Sequence, residues 1–131
     1  MTPQELRDRT REFAVAVIHF SKTLTADPIS LNIVRQLTRS AASVGANYRA
    51  VCRARSRADF ISKLGVVIEE ADEANYWLEL AGDEGLCQPS EVAALKDEAH
   101  QLTRILTRSR ETARAARNRK SPNGQSPTNP Q

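Results

Sequence analysis

The chain has 131 residues, 5% aromatic content and a formal net charge of +3, so it has room for one domain with a modest core and favours helix over sheet. The longest apolar run, Phe13–Ile18, is far shorter than the roughly 20 residues that span a bilayer, and the amino terminus lacks the pattern of a signal peptide. We therefore expect a cytoplasmic protein without a membrane helix. Cys52 and Cys87 have no metal-like spacing, and ordinary packing accounts for both in a reducing compartment.

The first half of the chain predicts two amphipathic helices. Thr2, Pro3 and Glu5 have the form of a capping box with proline in the first turn, and apolar residues then recur at spacings of three and four. This helix is expected to end at Ala26–Pro28. Asp27 is expected to cap a second helix, with Pro28 at its first position, that runs to about residue 54. The apolar stripe of this second helix comprises Leu37, Ala41, Val44, Tyr48 and Cys52.

The second half predicts two more helices and a tail. Ser56, with an acid three residues later, is a capping signal for a third helix, which is expected to end near Gly82 or Gly85. A fourth apolar stripe predicts a helix that reaches about Ala116. The remaining residues, 117–131, have nothing to bury and are expected to be disordered.

Four amphipathic helices joined by short connections predict an all-α fold, an up-and-down four-helix bundle formed by residues 1–116. The first and third helices carry more apolar surface than one core requires, which indicates a second buried surface between subunits. The alternative is that loops or the tail cover these side chains. The predicted interface residues are Val15, Ile18, Glu69, Glu73, Trp77 and Leu80.

The second helix carries a stripe of arginines opposite its apolar face. On a straight helix, four arginines fall within an arc of about 80°: Arg35, Arg39, Arg49 and Arg53. Ala42 and Ala46 lie between them. These short side chains would let a phosphate backbone or a neighbouring helix approach closely. Positive charge continues into the following turn and returns at the end of the fourth helix. The candidate nucleic-acid-binding residues are Arg35, Arg39, Arg49, Arg53, Arg55, Arg57, Arg104 and Arg108.

Three interpretations of this stripe remain open. Charge runs are commonly solvated faces with local ion pairs. A second interpretation is that the arginines of one subunit meet the acidic face of the third helix in the next, a head-to-tail contact that closes into a ring. The third is that they bind the phosphate backbone of RNA or DNA, which can coexist with the second.

The sequence contains no convincing catalytic or metal-binding motif. Residues Asp97–His100 spell "DEAH", but no phosphate-binding loop accompanies them and they lie on a predicted helix. Asp97 and His100 also project away from the apolar stripe, whereas metal sites of helix bundles are built inside the core. We expect a protein that is not an enzyme and has no cofactor or metal.

One long segment, Gln36–Leu80, resembles the bacterial four-helix-bundle family of proteins encoded in intervening sequences of 23S ribosomal RNA genes. The resemblance rests on "QLTRSA", "SVGANYR", "SRADFISKL" and "EADEANYWLEL". Two positions depart from the family pattern: Ala50 stands where members usually carry an acid, and Ser62 where they often carry a histidine. The first and last predicted helices fit by position and pattern only.

The resemblance implies a protomer that assembles into a homopentamer. A related branch, similar in fold, is the accessory protein of diversity-generating retroelements, which binds nucleic acid and a reverse transcriptase through a basic outer surface. By this analogy of fold, the arginines of the second helix would bind RNA or DNA backbone in a non-enzymatic oligomer. The alternative is a protein-interaction scaffold, for example a partner of a reverse transcriptase, whose arginines are used in subunit contacts.

Overall fold

The computed structural model describes residues 1–119, which form four α-helices. Consecutive helices pack side by side, and contacts between the first and the last close the bundle. The prediction of an all-α, up-and-down four-helix bundle is therefore confirmed. No helix in this part of the chain is long and apolar enough to cross a membrane. The four helices are α1 (Pro3–Lys22), α2 (Leu31–Val51), α3 (Arg57–Asp83) and α4 (Pro89–Arg119).

The ends of α1 and α3 follow the predicted capping signals. Thr2 Oγ1 accepts a hydrogen bond from the backbone N–H of Glu5 at 3.1 Å, and the Glu5 carboxylate accepts one from the backbone N–H of Thr2 at 2.8 Å. Ser56 Oγ accepts one from the backbone N–H of Asp59 at 3.1 Å. Each cap satisfies N–H groups that have no partner within the helix. After α3, Gly85 has a φ of 75°, the left-handed conformation that glycine adopts without strain.

Three predicted boundaries are corrected by the structure. The Asp27 carboxylate accepts the backbone N–H groups of Ile29 and Ser30 at 2.9 and 2.8 Å, so it caps a turn and not α2, which begins at Leu31. Because the chain turns after Val51 to reach α3, α2 ends three residues before the expected position. The last helix, α4, continues to residue 119, so residues 117–119 of the predicted tail are helical and the rest of it lies outside the described residues.

The core lies between all four helices and contains most of the predicted apolar stripes. Val67, Ala74 and Ala81 of α3 are fully buried, although they lie outside the predicted apolar stripe of the third helix. Because α3 packs against both α2 and α4, it buries a wider arc than a single stripe. Cys52 was expected to be buried and is exposed, because it lies at the end of α2 and borders an open groove at that end of the bundle.

The helices α1 and α2 pack very closely at Gly45. A Cβ atom at this position would lie 3.4 Å from both Arg11 Cα and the carbonyl oxygen of Thr10. The absence of a side chain therefore allows backbone-to-backbone contact between the two helices. This close packing determines the shape of the outer surface between α1 and α2.

Candidate nucleic-acid interface

The predicted arginine stripe lies on the outside of the bundle. Arg35, Arg39 and Arg49 are exposed on α2, and Arg53 is exposed in the turn after it. Because α2 stops at Val51, the straight-helix projection applies only to the first three. In the structure, the stripe borders α3 on one edge and α1 on the other.

Arg39, on one edge of the stripe, pairs with two acids of α3 in the same chain. Its Nη1 lies 3.3 Å from Glu70 Oε2 and its Nη2 lies 2.8 Å from Glu73 Oε2. The Arg39 guanidinium, followed by the Trp77 indole N–H, lowers the pKa of the Glu73 carboxyl, and both acids raise the pKa of Arg39. Arg39 therefore forms a local ion pair, and Glu73, one of the predicted interface residues, is engaged by Arg39 within the same chain.

Arg49, on the other edge of the stripe, borders α1. It shares a shallow depression of about 550 Å³ with Arg7 and Arg11 of α1. We call this surface the α1–α2 groove. The groove also contains Asp8, whose carboxylate accepts a hydrogen bond from Gln4 at 2.9 Å. Its floor consists of Ala14, Ala42, Gly45 and Ala46.

The three arginines of the α1–α2 groove form no ion pair with any residue that the structure describes. Within residues 1–119, no carboxylate lies within ion-pair distance of Arg7, Arg11 or Arg49. The charged groups therefore face solvent above a floor of methyl groups and backbone. Such a surface attracts anions that can approach closely.

Arg7 and Arg11 were not among the predicted binding residues. Their spacing of four residues places them on one face of α1, so the sequence alone could have indicated that they lie together. Which neighbouring helix they border depends on how α1 packs against α2, which the spacing does not specify. The close approach at Gly45 brings them beside Arg49.

Three other candidate arginines border a different surface. Arg55, Arg57 and Arg108 line an open groove of about 950 Å³, which we call the terminal groove. It lies at the end of the bundle where α1 and α3 begin and α2 and α4 end. Arg104 is exposed on α4 and lines neither groove. The eight predicted residues are therefore distributed over the outer face of α2 and the turn after it, the terminal groove and α4.

The predicted interface residues lie on outward-facing parts of α1 and α3. Val15, Ile18 and Leu80 are half-buried and Glu69 is exposed. Trp77 packs against the core, and its Nε1–H donates a hydrogen bond to Glu73 at 3.2 Å. Two further apolar residues of α3, Val66 and Tyr76, are 46% and 53% exposed.

The histidine of the "DEAH" segment, His100, is exposed on α4. The Asp97 carboxylate accepts a hydrogen bond from the Gln101 side chain at 2.7 Å. In the described part of the chain, no three histidine, cysteine, aspartate or glutamate side chains are close enough to hold a metal ion.

Comparison with known proteins identifies the family. Residues 4–108 match the family model of the 23S rRNA-intervening sequence protein. The chain belongs to this family. Among solved structures, the chain is similar to a protein with unknown function from the S23 ribosomal protein family of Bacteroides thetaiotaomicron VPI-5482, at 31% identity and a TM-score of 0.77. The similarity covers 85% of this chain and 99% of that one. No curated protein matches the sequence.

Proposed function

We propose that this protein is a non-enzymatic, cytoplasmic oligomer that binds the phosphate backbone of RNA or DNA through the α1–α2 groove. One observation carries the proposal: Arg7, Arg11 and Arg49 come together from two helices and have no carboxylate partner among the described residues. Clustered arginines displace the counterions condensed on nucleic acid, which favours binding at low salt.

The floor of the groove supports a backbone ligand. Gly45 and the neighbouring alanines project little beyond the helix surfaces, so a phosphate can reach all three guanidinium groups. Arginine binds phosphate through two parallel N–H donors, an arrangement that requires this kind of approach. Contacts of this type position a nucleic acid without reading its bases, so we expect little sequence preference.

Two other exposed arginines extend the surface beyond the groove. Arg35 lies near the start of α2 and Arg53 just after its end, and both are free of carboxylate partners in residues 1–119. Within α2, Arg35 and Arg49 are roughly 21 Å apart, at about 1.5 Å per residue, and Arg53 lies beyond the end of the helix. A nucleic-acid backbone following α2 would meet positive charge along this whole length.

The proposal includes assembly into a homo-oligomer, a pentamer by the family resemblance. Its support is the apolar surface of α3, where Val66 and Tyr76 are exposed and Leu80, one turn after Tyr76, is half-buried. A ring would repeat the α1–α2 groove once per subunit. Several weak phosphate contacts would then act on one nucleic acid and raise its apparent affinity.

The test is fluorescence anisotropy of a labelled structured RNA and a labelled DNA duplex, titrated with the full chain at about 50 and 200 mM salt. We expect micromolar or tighter binding at the lower salt and weakening of at least about tenfold at the higher. The variant Arg11→Glu with Arg49→Glu should lose binding. The matched control, Arg114→Glu with Arg119→Glu, makes the same charge change at exposed positions of α4 outside both grooves.

Light scattering on the same samples separates the proposal from its alternative. If the groove binds phosphate, the double variant keeps the mass of the native assembly and loses only nucleic acid. If its mass falls as well, the arginines belong to subunit contacts and the scaffold interpretation is correct. Absence of binding by the unmodified protein at the lower salt would contradict the proposal.

A further inference from the structure

We propose that the terminal groove binds an acidic amphipathic helix from a partner protein. This groove differs in chemistry from the α1–α2 groove. Its floor is formed by apolar side chains from all four helices and its rim carries arginines. The apolar residues of the floor include Leu6, Tyr48, Val51, Phe60 and Ile105.

One wall of the terminal groove is a continuous face of α4. The residues of α4 that line it recur at spacings of three and four, the pattern by which a helix packs against another helix. This face is about 17 Å long, or three helical turns. In the described part of the chain, this face borders an open groove where a further helix has room to pack. The α4 residues of the wall are Ile105, Arg108, Ser109, Thr112, Ala113 and Ala116.

The positive charges of the rim indicate that the partner helix is acidic. Arg55 lies in the turn before α3, Arg57 is the first residue of α3, and Arg108 lies on α4. No acidic residue lines the groove, and none of these arginines forms an ion pair within residues 1–119. A complementary helix therefore needs an apolar stripe flanked by acids on both edges.

The apolar floor distinguishes this groove from a phosphate-binding surface. Phe60 and Ile105 of its floor are half-buried, and a phosphate backbone offers nothing apolar to cover them. Burial of such side chains by a partner's apolar stripe is favourable by about 25 cal/mol per Å². The α1–α2 groove has only methyl groups and backbone at its floor, so the two surfaces suit different ligands.

The probe for this proposal is a fluorescein-labelled peptide of about 14 residues, with leucines at helical spacing and glutamates on both flanks of the leucine stripe. A second peptide has the same composition in a permuted order that spreads the leucines around the helix. Anisotropy titrations of the full chain at about 100 mM salt should give at least tenfold tighter binding of the amphipathic peptide.

Two variants locate the binding. Arg108→Glu reverses one rim charge, and Ala113→Glu places a carboxylate on the α4 wall; each should weaken peptide binding by at least about tenfold. Arg104→Glu is the matched control, because it makes the same charge change on the same helix outside the groove. Circular dichroism verifies that all three variants keep their helix content.

The outcomes also separate this proposal from phosphate binding. We expect Ala113→Glu, which changes a residue of the α4 wall outside the candidate nucleic-acid-binding set, to leave RNA affinity within about twofold of the native value. The proposal is overturned if the amphipathic peptide fails to bind at about 200 µM, or if the permuted peptide binds equally well. It is also overturned if Arg108→Glu abolishes RNA binding and leaves peptide binding intact, since the groove would then belong to a nucleic-acid surface.

Discussion

Arg9 and Arg39 each bind acidic side chains of a neighbouring helix, in different surroundings. Arg9 of α1 donates two hydrogen bonds of 2.7 Å to the Glu98 carboxylate and one of 2.8 Å to Gln101, and the side chains of Arg9 and Glu98 are 24% and 29% exposed. Arg39 is 48% exposed, and its closest acid is at 2.8 Å. Solvent screens exposed pairs strongly, so the first contact is expected to stabilise the fold more.

The two arginines therefore give a matched pair of stability measurements. Arg9→Met should lower the free energy of unfolding by about 1–2 kcal/mol, because it leaves a half-buried carboxylate without its donors. Arg39→Met should lower it by about 0.5 kcal/mol or less. Urea titration followed by circular dichroism measures both. An equal or larger effect at Arg39 would contradict this ranking.

The Arg39 contact is also expected to depend on pH. The pKa of the Glu73 carboxyl is lowered in the folded protein, chiefly by Arg39, so this carboxylate binds its proton less readily than in the unfolded chain. Its contribution is present above the ordinary glutamate pKa of about 4.3 and is lost as the pH falls through the lowered value. The stability difference between the native protein and Arg39→Met at pH 7 should therefore shrink as the pH falls below about 4.3 and disappear at pH values where Glu73 is protonated. A difference that persists there would show that lost packing causes it.

Tyr48, in the floor of the terminal groove, is expected to ionise late. Burial, and then the charge of the nearby Cys52, raise the pKa of Tyr48 to about 12. In the unfolded chain a tyrosine ionises near pH 10, so stability should fall as the pH rises from about 10 to 12. Absorbance of phenolate near 295 nm should reveal one late-ionising tyrosine, and Tyr48→Phe should remove that step. Its persistence in Tyr48→Phe would contradict the assignment.

At the scale of the helices, the capped starts of α1 and α3 were predictable from the sequence, and the packing of one helix against another was not. Thr2 and Ser56 determine the starts of α1 and α3 through local hydrogen bonds, so the sequence alone indicated them. The start of α2 was predicted wrongly because Asp27 makes the same local contacts in a turn as in a helix cap. Ala74 and Ala81 of α3 were not predicted to be buried, because burial there depends on two neighbouring helices.

Two glycines in helices should respond oppositely to larger side chains. At Gly65 an added Cβ would meet only the end of the Arg110 side chain, at 3.7 Å. Gly65→Ala should therefore raise the free energy of unfolding by about 0.5–1 kcal/mol through helix propensity. At Gly45 the neighbour is the backbone of α1 at 3.4 Å, so Gly45→Leu should separate two helices and cost about 2 kcal/mol. Thermal unfolding checks both, and a stabilising Gly45→Leu would contradict the close packing.

At the scale of the whole molecule, the proposed assembly makes a direct prediction. A pentamer of 14.5 kDa chains should scatter light as a particle of about 73 kDa. Val66→Asp, on the apolar surface of α3, should lower that mass without changing helix content. Ile29→Asp is the matched control, since this side chain is 88% exposed in the turn before α2. A monomer in the unmodified protein, or an unchanged mass for Val66→Asp, would contradict the proposed interface.

The candidate site was predictable only in part. Periodicity identified Arg49 and the small residues beside it, because these lie on one helix. The grouping of Arg7 and Arg11 with Arg49 depends on the crossing of α1 and α2 at Gly45, and the pairing of Arg39 depends on the position of α3. Contacts between helices therefore decided which arginines are available for a ligand.

The most direct test of phosphate binding through the α1–α2 groove is the slope of log Kd against log salt concentration. Each phosphate contact contributes about 0.7–0.9 to this slope. The neutral variant Arg11→Gln with Arg49→Gln should therefore lower the slope for a labelled RNA by about 1.5 relative to the native protein. An unchanged slope in this variant, measured on samples of unchanged mass, would mean that the nucleic acid binds elsewhere and would contradict the proposal.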